Sequence, residues 1–341
     1  MRKRNKRKME SVTCLCVGDP HFTDKNIQEV EKLTEKILCL VKEKKPTFVV
    51  ILGDILDTHE IIHEAPLNKA VFFLSKLSVL CPTFLLIGNH DYCNNSQFQT
   101  TRHAFNACKR WKNMFVVDKA ITKTFSGHTF FFCPYVPPGR FEECLNTTEK
   151  DWKKASCIFA HQEFAGCKMG PIVSTEGDVW KTEYPLVISG HIHDSQIVGK
   201  NVYYTGSALQ HSFGDSEKKG VWLVEFCGLL EAGWRYKKYD LEGKKKKTVY
   251  LDANTVLSEL PDIKKGEDDV RVVFRGTTAE FAALKKTKNF SQISGIATRI
   301  AFDPKDEVLK ETTKKTYDEI MCELLEEEGE DLKNLWKKMR E

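Results

Sequence analysis

From Val12 to about residue 240, short apolar runs alternate with amphipathic stretches and polar loops. Residues 12–17, 48–52 and 84–87 are continuous and β-rich, the pattern of strands buried on both faces. Between the first two, Ile27, Val30, Leu33, Ile37, Leu40 and Val41 recur at spacings of three and four, which predicts an amphipathic helix closed by Pro46. Strand, helix, strand, helix, strand in that order implies parallel β-α-β units with right-handed crossovers. Apolar runs at 130–133, 157–160, 186–189, 202–204 and 221–226 follow more closely and predict a second sheet packed on the first.

Beyond that body the pattern changes. Residues 241–268, with Gly243 and lysines 244–247, read as a linker. A strand at 270–274, a helix opened by the Thr277/Glu280 capping-box pair and a strand at 296–302 predict a small β-α-β unit. The end carries two helical stripes, Tyr317, Ile320, Met321, Leu324 and Leu325, then Leu332, Leu335, Trp336 and Met339, with Gly329 between them. The expected organisation is a basic tail at 1–11, a catalytic body at 12–240, a linker at 241–268, a cap at 269–304 and an amphipathic, partner-binding tail at 305–341.

Composition narrows the class. Hydrophobic residues at 41% and charged residues at 29% suit a soluble globular protein, and no apolar run approaches the roughly 20 residues that cross a bilayer. The twelve cysteines contain no C-x-x-C pair, and half of them sit in or beside apolar runs, so a reducing intracellular setting, cytoplasmic or nuclear, is expected. The net charge of +4 is modest, but Arg2, Lys3, Arg4, Lys6, Arg7 and Lys8 crowd one end and lysines 244–247 form a second run. Each run reads as a solvated segment or as a phosphate-binding one, and the first also as a nuclear address.

The chemistry gathers where apolar runs end. They close on Gly18-Asp19-Pro20-His21, Gly53-Asp54-Ile55-Leu56-Asp57, Gly88-Asn89-His90-Asp91, Ala160-His161-Gln162 and Gly190-His191-Ile192-His193. Strand ends on one edge of an α/β sheet form a ligand crevice. In extended backbone, residues two apart face one side, so Asp19 with His21, and His191 with His193, are expected to converge. Singly, a D-x-H or H-x-H pair is an ordinary loop feature, and a lone histidine such as His161 belongs more often to a core. Five in order, each ending a strand candidate, point to a metal centre.

That ordered set resembles the calcineurin-like metallophosphoesterase superfamily over roughly residues 12–226. The resemblance implies an α/β fold, a four-layer β-sandwich flanked by helices, here with the small C-terminal cap and helical tail. It implies two divalent ions: Asp19, His21, Asp54 and His193 at the first, Asp54, Asn89, His161 and His191 at the second, Asp54 bridging. Mixed O and N donors without thiolate favour Mn²⁺, with Mg²⁺, Fe²⁺ and Zn²⁺ as further candidates. His90 is expected beside the metals as general acid or electrostatic stabiliser at the leaving oxygen. The position of Asp57 is His in archaeal and eukaryotic break-repair nucleases, so Asp57 either orients a ligand histidine or stands on the substrate side. His59 is close enough to take that side, or is an exposed loop residue; Asp91 joins this outer group.

Three features lean towards DNA. Tyr204-Thr205-Gly206-Ser207-Ala208-Leu209-Gln210 resembles the segment that closes the site in SbcD-like nucleases, and the cap and amphipathic tail are similar to those of that subfamily. Residues 164–170 resemble the recombination nucleases of phages and large DNA viruses. The expected function is thus a two-metal DNA nuclease of double-strand-break repair or recombination. Its expected partners are DNA, an SMC-like ABC ATPase and, through helices near 66–80 and 100–111, a second copy. The competing readings are a metallophosphatase or cyclic-nucleotide phosphodiesterase for a small phosphoester, and a metal-bearing scaffold, which the intact donor set disfavours.

Overall fold

A computed structural model describes residues 11–59, 61–261, 263 and 266–305. The basic residues 2–8 and both C-terminal stripes lie outside the described residues.

The first sheet has the order β14-β13-β1-β2-β3-β4. Its strands are β1 (Val12–Val17), β2 (Phe48–Ile51), β3 (Thr83–Leu86), β4 (Met114–Val117), β13 (Val221–Phe226) and β14 (Trp234–Tyr239). β1 to β4 run parallel, while β13 is antiparallel to β1, with Val12 opposite Phe226. The run at 221–226 therefore belongs to the first sheet, not to the second as its neighbours in sequence suggested. Antiparallel edge strands on a parallel sheet are common in such folds.

The second sheet has the order β11-β12-β10-β7-β6-β5. It is built from β5 (Ile121–Phe125), β6 (His128–Phe132), β7 (Cys157–His161), β10 (Val187–Gly190), β11 (Gln196–Val198) and β12 (Val202–Tyr204). A two-stranded hairpin, β8 (Lys168–Met169) with β9 (Ile172–Val173), stands apart from both.

Strand alternation sorts the side chains into layers. Phe48, Val50, Phe84 and Leu86 pack with Phe130, Phe132, Phe159 and Ile188 between the two sheets. Val49, Ile51 and Leu85 point the other way, onto α1 (Ile27–Lys44) and α2 (Glu64–Leu80). Phe131, Ile158 and Val187 face the opposite outer layer, with α3 (Phe141–Asn146) and Trp152. The result is helices, sheet, sheet, helices. The α1 face is the one read from the sequence: Val30, Leu33, Ile37, Leu40 and Val41 are all buried. Residues 66–80 lie within α2, but 100–111 forms no α-helix: it holds turns, an isolated bridge from His103 to Tyr92 and a 3₁₀ turn at Asn106–Arg110.

The described residues divide into two compact units, one of residues 11–247 with Glu267–Asp269, the other of Thr248–Gly266 with residues 270–305. The expected linker is not a linker throughout. Residues 246–258 form β15 (Lys246–Asp252) and α4 (Ala253–Ser258), whose N-cap Asp252 accepts from the backbone N–H groups of Asn254 and Thr255. With β16 (Asp269–Gly276) and β17 (Arg299–Pro304) they give a three-stranded sheet, β16 and β17 parallel. Two helices, α5 (Thr278–Leu284) and α6 (Lys288–Ile296), make the crossover. The capping box is formed: Glu280 accepts from the Thr277 N–H at 2.7 Å, and the Thr277 side chain takes the Glu280 N–H. Buried Ala253 and Val256 join Val272, Phe274, Phe281 and Leu284 in this unit's own core. The second basic run is partly paired: Lys244 and Lys246 reach Asp269 at 2.6 and 2.9 Å and Lys247 reaches Asp268 at 2.6 Å.

Candidate metal centre

Every strand that ends in a metal-donor motif ends at the same edge of the paired sheets. β1 delivers Asp19 and His21, β2 delivers Asp54 and Asp57, β3 delivers Asn89 and His90, β7 ends on His161, and β10 leads into His191 and His193. The local geometry is not the extended alternation expected for D-x-H and H-x-H. Asp19, His21, Asp54 and His191 all have positive φ, at 40°, 42°, 49° and 79°. Such left-handed turns cost a non-glycine residue energy and persist only where the surroundings over-determine them. Here backbone bonds do so: His21 N–H donates to the Asp54 carbonyl at 3.1 Å and Phe22 N–H to that of Ile55 at 2.8 Å. Gly88 is required for close approach, because a Cβ there would stand 2.1 Å from Asp54 Oδ1.

Each carboxylate has one oxygen committed to a backbone N–H. Asp54 Oδ1 accepts the His90 N–H at 2.9 Å and Asp19 Oδ1 accepts the His191 N–H at 2.8 Å. Asp19 Oδ2 is buried with no hydrogen-bond partner, which costs free energy unless a cation takes it. Asp19, His21 and Asp54 bring one donor atom each within 4.8 Å of one another, and so do Asp54, His161 and His191. Asp54 is common to both groups. In the first, His193 joins with its Nε2 3.1 Å from that of His21. In the second, Asn89 Oδ1 lies 2.9 Å from both His161 Nε2 and His191 Nδ1.

The tautomers fit ligation. His161 Nδ1–H donates to the Leu52 carbonyl at 2.7 Å, which aims Nε2 at the cluster. Burial pulls the His161 imidazole down, but the Asp54 and Asp19 carboxylates outweigh it and hold it up at about 9. Burial, then the neighbouring His161, pulls His191 down to about 3. Burial opposes the Asp54 carboxylate, yet His161 and His21 hold it well below the usual range. Without an ion, His161 thus keeps a proton where a cation would sit, and metal uptake must displace it. The orphaned Asp19 oxygen, the facing ring nitrogens and the thiolate-free O/N donor set all fit a pair of divalent ions.

The outer residues separate by role. Asp57 Oδ1 lies 3.2 Å from His21 Nδ1, with the Asp57 side chain 46% exposed and that of His21 3%. Its carboxylate is held low first of all by the neighbouring His21, and it lies beside that ring. A third donor group, His21, Asp57 and His90, follows from this placement. His90 Nδ1–H donates to the Asp57 carbonyl at 2.6 Å, and its ring stacks on His59 at 4.6 Å. Burial lowers His90, against Asp54, so as an acid it must first gain a proton on Nε2. Asp91 is spent on backbone: it accepts from Gly88 and Leu56 N–H at 3.0 Å each and ties the loops after β2 and β3 together. Burial and the Asp54 charge push Asp91 up to about 7.

The 204–210 segment grips this edge. Ala208 N–H donates to the Gly18 carbonyl at 2.8 Å, and Ser207 N–H to that of His193 at 3.0 Å. One residue further on stands His211, which sequence reading missed although it adjoins the segment singled out. Its Nε2 lies 2.8 Å from the Asp19 carbonyl. Lys219 was missed too; its Nζ donates to the His193 carbonyl at 2.6 Å.

Two packed six-stranded sheets carrying two donor groups that share one aspartate define a metal-dependent phosphoesterase. The family model of the calcineurin-like phosphoesterases matches residues 12–195, and the chain belongs to that family. It is similar to phosphoesterase candidate 244L of Invertebrate iridescent virus 6, 43% identical over 82% of this chain and 99% of that protein. Candidate 078R of Invertebrate iridescent virus 3 is 38% identical over 96% of each. A solved structure of GAP50, the anchor in the inner membrane complex of Plasmodium, matches at 14% identity and a TM-score of 0.44, over 68% of this chain and 85% of that one. No helix among the described residues is long and apolar enough to cross a membrane.

Proposed function

We propose that this phosphoesterase is a DNA nuclease of double-strand-break repair or recombination, acting with an SMC-like ABC ATPase. The observation that carries the reading is the position of residues 204–210. The segment that resembles the site-closing segment of SbcD-like nucleases holds the Gly18 and His193 carbonyls at the donor cluster. The partly exposed rim of His90, Asp57, His193 and His211 over a buried floor of Asp19, Asp54 and His161 suits a polymer laid across the site.

Bound divalent ions, Mn²⁺ in this reading, supply Lewis acidity that activates water and neutralises phosphoryl charge. The chain's own part is to hold them, with Asp54 between the two groups, and to place His90 at the rim. There His90, once protonated, stabilises the departing oxygen.

The test is degradation of end-labelled single- and double-stranded DNA with Mn²⁺, beside bis-nitrophenyl phosphate. Cleavage of DNA is the expected result. Turnover of the small ester with DNA left intact would make the chain a metallophosphatase or cyclic-nucleotide phosphodiesterase instead.

A further inference from the structure

We propose that His211 is a positioning residue of the first metal group, holding Asp19 in its left-handed turn by a hydrogen bond from Nε2. The inference concerns how the chain shapes the metal centre and does not depend on which phosphoester is cleaved.

The Asp19 carbonyl leaves β1 at a φ of 40° and is followed by Pro20, so the adjoining peptide has no N–H of its own to anchor the turn. A carbonyl oxygen can only accept, so the 2.8 Å contact puts the proton on His211 Nε2. The ring meets His21 edge-on at 4.8 Å between centroids and 82°, and His193 at 5.1 Å and 62°. It therefore stands against both imidazoles of the group while its nitrogen fixes the aspartate.

His211 is itself held. Its backbone N–H donates to Asp215 Oδ2 at 2.9 Å, the Ser212 N–H to the same oxygen at 3.2 Å, and Ser212 Oγ to Asp215 Oδ1 at 2.5 Å. Asp215 Oδ2 in turn lies 3.8 Å from Lys219 Nζ, the group that holds the His193 carbonyl. One short segment thus fixes a backbone oxygen on each side of the first group: Asp19 through His211, His193 through Lys219. Supports of this kind set ligand orientation, and losing one typically weakens metal binding about 10–100-fold.

A packing role and a positioning role separate by chemistry. In His211→Gln the side-chain amide N–H reaches as far from the backbone as Nε2 does in the native ring. In His211→Asn the amide stops near the Nδ1 position, and in His211→Leu the side chain fills space with no donor. The experiment compares these three full-length variants with the wild type. Mn²⁺ binding is read by calorimetry and by the Mn²⁺ electron paramagnetic spectrum of the two-ion centre, and the melting temperature of each chelated form is recorded. We expect two ions and the wild-type spectrum for His211→Gln. For His211→Asn and His211→Leu we expect about 10–100-fold weaker binding at one site, with chelated forms that melt with the wild type. The proposal is overturned if His211→Leu binds both ions as the wild type does. It is equally overturned if His211→Gln loses as much as His211→Leu, because ring packing and not the donated hydrogen bond would then be the cause.

Discussion

Asp54 is the residue on which both donor groups depend. Its Oδ1 is spent on the His90 N–H while Oδ2 lies 3.3 Å from His161 Nε2 and 3.8 Å from His21 Nε2. Asp54→Ala is expected to lose both ions and all turnover, as metal analysis of the purified variant will show. His90 donates to a carbonyl and belongs to neither group that shares Asp54. His90→Asn should keep both ions and lower kcat about 10²–10⁴-fold, the usual range for a general acid. A His90 variant stripped of metal would remove that assignment. At this scale the candidate donors were legible because only a few side chains bind hard and borderline cations, and they recur after each apolar run. His211 was not legible, since nothing in the order of residues says that a histidine 192 positions away will meet the Asp19 carbonyl.

Among elements, the layer between the sheets carries the strands that present the site. Phe84 of β3 and Phe132 of β6 stack at 3.9 Å and 6°, one from each sheet, and both are fully buried. Phe132→Ala should destabilise the protein by about 3–5 kcal/mol through lost transfer energy and a cavity, measurable by urea denaturation of the chelated protein. A change under about 1 kcal/mol would mean that the sheets collapse onto the gap. The strands and α1 were readable from period and β-richness. The membership of β13 in the first sheet was not, because sheet order depends on which edge the returning chain meets. The run 246–258 was misjudged as linker because its strand opens on two lysines and shows no alternation, and the helix after it is only six residues long.

For the whole molecule the open matters are partners. The stripes at 317–325 and 332–339 are too short to be stable as isolated helices in water, and their i, i+3, i+4 spacing suits a groove on a coiled coil. Deletion after Pro304 is expected to spare basal hydrolysis and abolish association with an SMC-like ATPase. Co-purification of full-length and truncated chains with that ATPase decides it, and equal recovery would return the stripes to the body of the protein. The basic residues 2–8 belong at this scale too. If they contact phosphate, their removal weakens DNA binding and flattens the slope of log K against log salt, because fewer counterions are released; an unchanged slope leaves a solvated tail or an address signal.

The order of residues alone determined the candidate donors and the strands that present them, since both follow from local spacing and side-chain chemistry, while the phosphoesterase family was read from the resemblance of the ordered motifs and is shown by the family model. Only the tertiary structure decided how the donors converge. The expected extended alternation at Asp19 and His21 gave way to left-handed turns. Such turns are unfavourable for an isolated L-residue and become stable only when distant backbone groups and side chains, Ile55, Asp54, His191 and His211 among them, close around them.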